Sequence, residues 1–238
     1  MKTIKPGEER IYKNKNGDLV RSVMVCCTEV LTQFKDSMNI DQETQLTKMI
    51  EATVKEYKEI KEKEGPITAA YSMHAAIDKE IKKSGNEHQG FSVTCKKGCD
   101  WCCQIHVDIT PDEAELILAH CEEKNIFIGW DRLGRQSKFS EKTWLSDQIS
   151  HETWCGFLNP ITGECCIYKH RPGACRNHRS LDDPEKCNVI MTNGKIRKYG
   201  VLIAEMLQSA AMTAYGADSM AKMLIKTKKL NDKENQKA

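Results

Sequence analysis

The sequence lacks a hydrophobic run long enough to cross a membrane. Its least polar stretch, residues 201–214, is interrupted by Glu205 and Gln208 and is shorter than the roughly 18 apolar residues that a span requires. The first residues, MKTIKPGEERIYK, have no apolar segment behind their basic residues, so a secretory signal is not expected. We therefore expect a cytoplasmic protein that has no membrane partner.

A strong charge imbalance is also absent. The 36 Lys and Arg residues nearly balance the 34 Asp and Glu residues, which leaves a formal charge of +2 and no general attraction to nucleic acid or anionic membranes. The sequence also lacks internal repeats, a glycine-rich loop resembling a methyl-donor site, and a nucleophile with an evident base. It therefore identifies no catalytic residue.

Cysteine, by contrast, is abundant, with 12 residues in 238. A reducing compartment disfavours disulfides and favours metal or redox roles for clustered cysteines. A chain of this length, either one large domain or two small ones, can bury its own core and needs no disulfides to do so. Metal binding is therefore the leading interpretation.

Eight of the cysteines form one constellation. It consists of the block C-KKG-C-DW-CC, followed by four single positions separated by 9, 9 and 11 residues. The predicted ligands are Cys95, Cys99, Cys102, Cys103, Cys155, Cys165, Cys175 and Cys187.

The spacing within the block has a direct chemical meaning. In Cys99-x2-Cys102, both thiolates can point at one ion while the loop N–H groups donate to the sulfurs; a redox pair is the alternative. The adjacent Cys102 and Cys103 point to opposite sides of an extended backbone and cannot easily bind the same tetrahedral ion. The pattern predicts two four-ligand sites that share a wall, or one multinuclear site.

Several assignments stay open at this point. Cys165 and Cys166 are adjacent, and the sequence does not decide which of them binds the metal. Cys26 and Cys27 are interpreted as buried or idle thiols, with an extra ligand pair brought in by folding as the alternative. Cys121 is interpreted as a buried structural thiol because it has helical core spacing. His74, on an apolar helical stripe, is interpreted as a satisfied core residue.

Basic residues near the cysteines have an expected role. Four thiolates around a divalent ion leave about two negative charges, and the cations placed to offset them are Lys96, Lys97, Arg171, Arg176 and Arg179. Binding of an anionic substrate is the alternative for Arg171 and Arg176. Three histidines are further candidate ligands, namely His106, His170 and His178.

Local signals predict a mainly helical chain. A helical stripe over residues 41–64 ends at Gly65, and Pro66 begins a second helix. Thr110, Pro111 and Glu113 predict the N-cap, the first helical position and the partner of a capping box for a third helix reaching about residue 124. Two more helices are expected over 201–215 and 217–230, with a frayed tail after residue 226.

Turn signals predict short hairpins between these helices. Asn16-Gly17 indicates one hairpin in residues 10–25. The turn over residues 159–163 indicates another, which would bring Cys155 and Cys165 together. Residues 125–148 are expected to form a short strand and then a helix.

The cysteine pattern resembles a family of bacterial cysteine-cluster proteins, the CxxCxxCC family, described as zinc- or iron-chelating domains. The resemblance covers about residues 95–187, including C-x-F-L at 155–158, C-x-I-Y at 165–168, R-P at 171–172 and C-R at 175–176. The spacing departs from the family pattern at Cys95. Three residues lie between Cys95 and Cys99, where the family has two. A related branch includes flagellin lysine methylases with an iron–sulfur cluster, so the resemblance implies metal binding and leaves an enzyme open.

The sequence as a whole predicts a mainly helical α+β protein with a cysteine-rich metal-binding core of short hairpins and loops. The expected divisions are an N-terminal region at 1–94, a cysteine-cluster domain at 95–187, and C-terminal helices with a basic tail at 188–238. The expected function is the binding of zinc or iron, the iron either alone or as an iron–sulfur cluster. The alternatives are an iron- or iron–sulfur-dependent enzyme acting on a protein or peptide, of oxidoreductase or lysine methylase type, and a zinc-stabilised module that binds nucleic acid or protein.

Overall fold

The computed structural model describes residues 10–13, 19–22, 38–87, 93–95, 98–139, 141–144, 152–187 and 199–236. Most of these residues are helical, and the strands are short. The prediction of a mainly helical α+β fold is confirmed. The division of the chain at residues 94 and 187 stays a prediction.

Two long helices, α1 (Ile40–Glu64) and α2 (Pro66–Glu87), begin the helical body. Asn39 caps α1 through a reciprocal capping box with Gln42. Gly65 separates the two helices with a φ of +87°, which a residue with a side chain adopts only under strain. The predicted break at Gly65-Pro66 is therefore present.

The third long helix, α3 (Pro111–Glu123), begins with the expected capping box. Thr110 Oγ1 accepts from the backbone N–H of Glu113 at 3.2 Å, while Glu113 Oε2 accepts from the N–H of Thr110 at 2.9 Å. After α3, residues 126–129 form no strand, and α4 (Trp130–Gln136) follows directly. The strand expected there is absent because Ile126 N–H donates back to Cys121 and Trp130 N–H to Ile128, so the segment turns.

The C-terminal helices complete the body. The C-terminal helices are α7 (Leu202–Tyr215) and α8 (Met220–Asn235). Two short helices, α5 (Glu141–Trp144) and α6 (Gly173–Asn177), precede them in the chain. Helix α8 continues well past residue 226, where fraying was expected. A Lys228–Asp232 pair at 3.0 Å and a 3.0 Å hydrogen bond from Asn231 to Glu115 of α3 stabilise its last turns.

Within the described ranges, the strands pair in two small antiparallel sheets. β1 (Arg10–Lys13) pairs with β2 (Leu19–Ser22), with Arg10 opposite Ser22, which agrees with the predicted hairpin; its turn lies outside the described residues. β3 (Asp108–Ile109) pairs with β4 (Asp218–Ser219) and so joins the start of α3 to the start of α8.

The packing of the helices places the cysteine segment. Helix α7 contacts both α1 and α2, α2 contacts α3 and α6, and α8 contacts α3 and α4. Phe157 and Ile167 from the cysteine segment are about 1% exposed and belong to the same apolar cluster as Ile117 of α3 and Leu224 of α8. The loops that carry the cysteines are thus anchored in the helical core.

Candidate metal centre

Seven of the eight predicted ligand cysteines line one cavity. The cavity has a volume of about 870 Å³ and is closed on other sides by residues such as Ile81 of α2 and Gln208 of α7. The lining cysteines are Cys95, Cys99, Cys102, Cys103, Cys155, Cys165 and Cys175. The eighth, Cys187, is buried in a 3₁₀ helix (Pro184–Cys187) that lies against the 3₁₀ helix Trp101–Gln104 carrying Cys102 and Cys103.

The cysteines stand around the cavity and do not converge on a point within it. Within the described parts of the chain, no three His, Cys, Asp or Glu side chains are arranged to hold a metal ion. Ligation therefore requires the thiols to rotate toward a common centre.

Backbone hydrogen bonds bring the separate cysteine segments together. The N–H of Cys155 donates to the carbonyl oxygen of Cys103 at 2.7 Å. The N–H of Thr94 donates to the carbonyl oxygen of Ser180 at 3.1 Å, and the Ser180 N–H in turn donates to Cys95 Sγ at 3.3 Å. These bonds join positions more than 50 residues apart in sequence.

The predicted hairpin holds Cys155 and Cys165 on neighbouring arms. Leu158 and Cys165 form an antiparallel bridge, and Asn159 Oδ1 accepts from the N–H of Ile161 at 2.9 Å and of Thr162 at 3.2 Å. This side-chain turn is the physical basis of the Asn-Pro signal in the sequence.

Two glycines let the hairpin touch the cysteine block. Gly163 has a φ of +66°, and a Cβ added there would lie 3.0 Å from the carbonyl oxygen of Gly98, which itself has a φ of +81°. Any side chain at Gly163 would therefore push the hairpin away from the Cys95–Cys103 block.

Backbone amides near several of the sulfurs lower the pKa of the thiol, although burial has the larger effect. In three cases the amide belongs to the residue two positions later: Trp101 for Cys99, Phe157 for Cys155, and Ile167 for Cys165. Such donors stabilise a negatively charged sulfur, and they are a recurrent feature of thiolate metal sites. The loops are therefore suited to hold thiolates.

Burial works in the opposite direction on the same thiols. It raises the pKa of Cys155 to about 12 and the pKa of Cys175 well above its ordinary value. Cys102 differs, because a hydrogen bond from Cys103 lowers its pKa to about 7 despite its burial, with help from the Arg171 cation. A metal ion would have to displace protons from most of these thiols.

The charges that the thiols exert on one another divide them into two groups. Burial is the main cause of the raised pKa of Cys99, and the charges of Cys102, Cys95 and Cys187 raise it further. Cys95, Cys99 and Cys187 form the first group. Burial is also the main cause of the raised pKa of Cys175, and the charges of Cys155, Cys102 and Cys165 raise it further. That second group comprises Cys103, Cys155, Cys165 and Cys175. Cys102 faces both groups.

The predicted cations separate into two kinds. The charge of Arg171 helps to lower the pKa of Cys102. It also acts on Cys165, where burial has the larger effect and the pKa is raised. Arg179 lies close enough to interact with Cys95. Arg176 instead ties α6 to α2 and to the segment before α6, since it donates to Asp78, to the carbonyl of Lys169 and, at 2.9 Å, to the carbonyl of Arg171. Lys96 and Lys97 lie outside the described residues.

The histidines differ in their position. His106 and His178 line the cavity, and burial lowers the pKa of His106 to about 4, so its ring is neutral at pH 7. His170 packs against His120 with 4.1 Å between ring centroids and is not among the cavity residues. His74 is buried and bonded to Glu113 at 2.9 Å, as expected for a core histidine.

The remaining cysteines are placed apart from the cavity. Cys166 is exposed, Cys121 is buried in the apolar core as predicted, and neither lines the cavity. Cys26 and Cys27 lie outside the described residues.

Sequence reasoning missed the buried carboxylates at the start of α3. Asp112 and Glu113 are each about 1% exposed. The capping box predicted one hydrogen bond of Glu113, but its second oxygen bonds His74 of α2 and the N–H of Gly173, at 2.9 and 2.8 Å. The available signal was a polar His74 on an otherwise apolar stripe, which requires a buried partner.

Comparison with known proteins identifies the cysteine segment. Residues 94–195, somewhat less than half of the chain, match the family CxxCxxCC, described as "Putative zinc- or iron-chelating domain". This confirms the resemblance seen in the sequence and supports a metal-binding role. No curated protein and no solved structure gives a match. Among the described helices, none combines the length and apolar character needed to cross a membrane.

Proposed function

We propose that this chain, whose residues 94–195 match a metal-chelating family, binds zinc or iron through its eight clustered cysteines. The observation that carries the proposal is that seven of these thiols line one cavity although they come from segments up to 80 residues apart. Clustered thiols with amide donors suit a thiolate metal site and have no comparable use in an apolar core.

The ligands divide into two four-cysteine sets that share the adjacent pair of the block. The first set is Cys95, Cys99, Cys102 and Cys187. The second set is Cys103, Cys155, Cys165 and Cys175. The mutual charge effects of the thiols separate Cys95, Cys99 and Cys187 from the second set. Cys102, which interacts with both groups, brings the first set to four ligands. The adjacent pair lies in a 3₁₀ helix and not in extended backbone, so alternation of side chains along a strand does not contribute to this division.

The surroundings suit the charge that such sites would carry. Four thiolates around one divalent ion leave about two negative charges. Arg171, whose charge acts on Cys165 of the second set and on Cys102 of the first, and Arg179, near Cys95 of the first set, are positioned to offset part of that charge. Zinc would stabilise the fold, whereas iron, alone or in an iron–sulfur cluster, would add electron transfer.

The size of the cavity favours a second candidate function. A volume of about 870 Å³ lies within the range of ligand pockets, roughly 300–1,000 Å³, and exceeds the space that one tetrahedral ion needs. An iron- or iron–sulfur-dependent enzyme would use the remaining space for substrate, and the resemblance favours a protein or peptide substrate. His106 and His178 are among the polar groups of the wall that such a substrate could contact.

Serine variants of single cysteines test the two-set proposal. Cys99→Ser should reduce the metal held by the first set and leave the second loaded, and Cys155→Ser should do the reverse. Metal per chain is measured by elemental analysis after gel filtration. Cys121→Ser is the matched control, because this thiol is buried but lies away from the cavity. Equal metal content in all three variants would contradict the proposal.

A further inference from the structure

Two neighbouring carboxylates at the start of α3 have different partners. Asp112 accepts from the hydroxyl of Tyr57 at 3.0 Å and from Nζ of Lys61 at 2.6 Å, and both donors belong to α1. Glu113 has no contact of this kind with α1. Its partners are His74 of α2, its own cap residue Thr110, and Gly173.

The two oxygens of Glu113 perform separate tasks. Oε2 accepts from the N–H of Thr110 at 2.9 Å and closes the capping box. Oε1 accepts from Nε2 of His74 at 2.9 Å and from the N–H of Gly173 at 2.8 Å. Burial opposes ionisation of Glu113, but these donors outweigh it and lower its pKa. The carboxylate therefore joins α2, α3 and the cysteine segment at one buried point.

Gly173 transmits this anchor to a cysteine. It is the first residue of α6, a helix of five residues that carries Cys175 into the cavity wall. A Cβ at Gly173 would lie 3.2 Å from Ile77 Cδ1 and 3.5 Å from Glu113 Oε1, so the backbone there rests directly on α2 and on the carboxylate. Since α6 is so short, its position depends on such contacts and not on its own helical hydrogen bonds.

The geometry points to Glu113 as a positioning residue for the second cysteine set, with His74 holding the carboxylate in place. Its hydrogen bond to Gly173 fixes the start of α6 and hence the place from which Cys175 reaches a metal. This inference rests on the proposed metal-binding function. Residues that orient the ligands of a metal site through hydrogen bonds typically contribute 10- to 100-fold to metal affinity.

The adjacent carboxylates supply a matched pair of variants. Glu113→Gln keeps the size of the side chain, but an amide has one acceptor oxygen and cannot serve both Thr110 and Gly173. Asp112→Asn makes the same chemical change one residue earlier and affects only the contacts to α1. Both variants should unfold at lower temperature than the wild type. Only Glu113→Gln should also lose zinc affinity, by roughly 10- to 100-fold.

Zinc affinity is measured by competition with a chromophoric chelator, at a temperature where circular dichroism shows every variant folded. The Co²⁺-loaded proteins provide a signature that a merely structural role would not move. Thiolate-to-cobalt absorption should decrease in Glu113→Gln and stay at the wild-type level in Asp112→Asn. If the two variants lose affinity equally, or neither does, the inference is wrong.

A wild type that binds neither zinc nor cobalt would refute the proposed function itself, and the inference with it. If Glu113→Gln does not fold, the comparison moves to His74, whose replacement leaves the carboxylate in place. His74→Leu should weaken zinc binding several-fold, and His74→Gln, which retains a donor at the position of Nε2, should restore it. Equal affinities of these two variants would overturn the inference.

Discussion

Replacing either of two adjacent cysteines by serine should have very different consequences. Cys165 lines the cavity, where the Ile167 amide and the Arg171 cation partly offset the rise in its pKa that burial causes. Cys166, the next residue, is exposed and does not line the cavity. The bridge between Leu158 and Cys165 fixes which of the two side chains faces inward. We therefore expect Cys165 to be the ligand and Cys166 to be dispensable.

The size of the difference follows from the energetics of thiolate sites. Zinc binding to structural sites is worth roughly 10–16 kcal/mol at pH 7. If four ligands contribute equally, one thiolate contributes roughly 2.5–4 kcal/mol, which corresponds to about two to three orders of magnitude in affinity. Cys165→Ser should show a loss of this size, and Cys166→Ser should stay within a factor of about two of the wild type.

The assay is zinc competition against a chelator of known affinity, under anaerobic conditions so that free thiols stay reduced. Because the two variants differ by one position in the same hairpin, general effects of losing a thiol cancel in the comparison. A large loss for Cys166→Ser with normal binding by Cys165→Ser would show that the register of the hairpin is wrong. Equal losses would show that the pair acts together.

Three further outcomes are expected. Gly163→Ala should destabilise the fold by about 1–3 kcal/mol because of the positive φ at this position and the contact with Gly98. Gly134→Ala, which has open space around it in α4, should stabilise the fold by about 0.5–1 kcal/mol. Chemical denaturation measures both changes, and equal effects of the two variants would contradict this expectation. Adding zinc to metal-free protein at pH 7 should release protons into a weak buffer, because Cys155 and Cys175 have raised pKa values and bind metal only as thiolates. The metal-free fold should also lose stability above about pH 8.5, since burial favours the protonated form of these thiols in the folded state. A free energy of unfolding that does not change with pH in this range would argue against buried thiols. Removing the metal with a chelator should lower the thermal midpoint and the helical signal, and an unchanged cooperative melt would show that the metal is not part of the fold.

Local signals predicted the helix starts and the hairpin of the cysteine segment. The Thr110 capping box, the Gly65-Pro66 break and the turn at Asn159 each depend on hydrogen bonds or backbone angles within a few residues. Such features can be read directly from sequence because the partners lie close together along the chain.

Features that depend on distant partners were not predictable in the same way. Glu113 meets His74 across 39 positions and Gly173 across 60, and nothing local in the sequence pairs them. The same holds for Arg176, which lines the cavity and also bonds Asp78 across 98 positions; nothing local in the sequence pairs these two residues. The short strand expected within residues 125–148 does not form over 126–129, because backbone hydrogen bonds from Ile126 to Cys121 and from Trp130 to Ile128 turn the segment.

The cysteines fall between these cases. Their spacing predicted the ligand set, and the adjacent pair Cys102-Cys103 predicted two sites that share a wall. Which thiols would share a site depends on how the loops fold over the helices, so the proposed grouping of Cys187 with Cys95 and Cys99 could not be read from the sequence.

The most direct test of the central claim is the metal and acid-labile sulfide content of the protein purified without oxygen. We predict that the protein contains one or two zinc ions per chain, or iron. If the iron is bound as a cluster, sulfide and a brown colour should accompany it. Protein that retains no metal under any purification condition, and takes up none when zinc or iron is added, would contradict it.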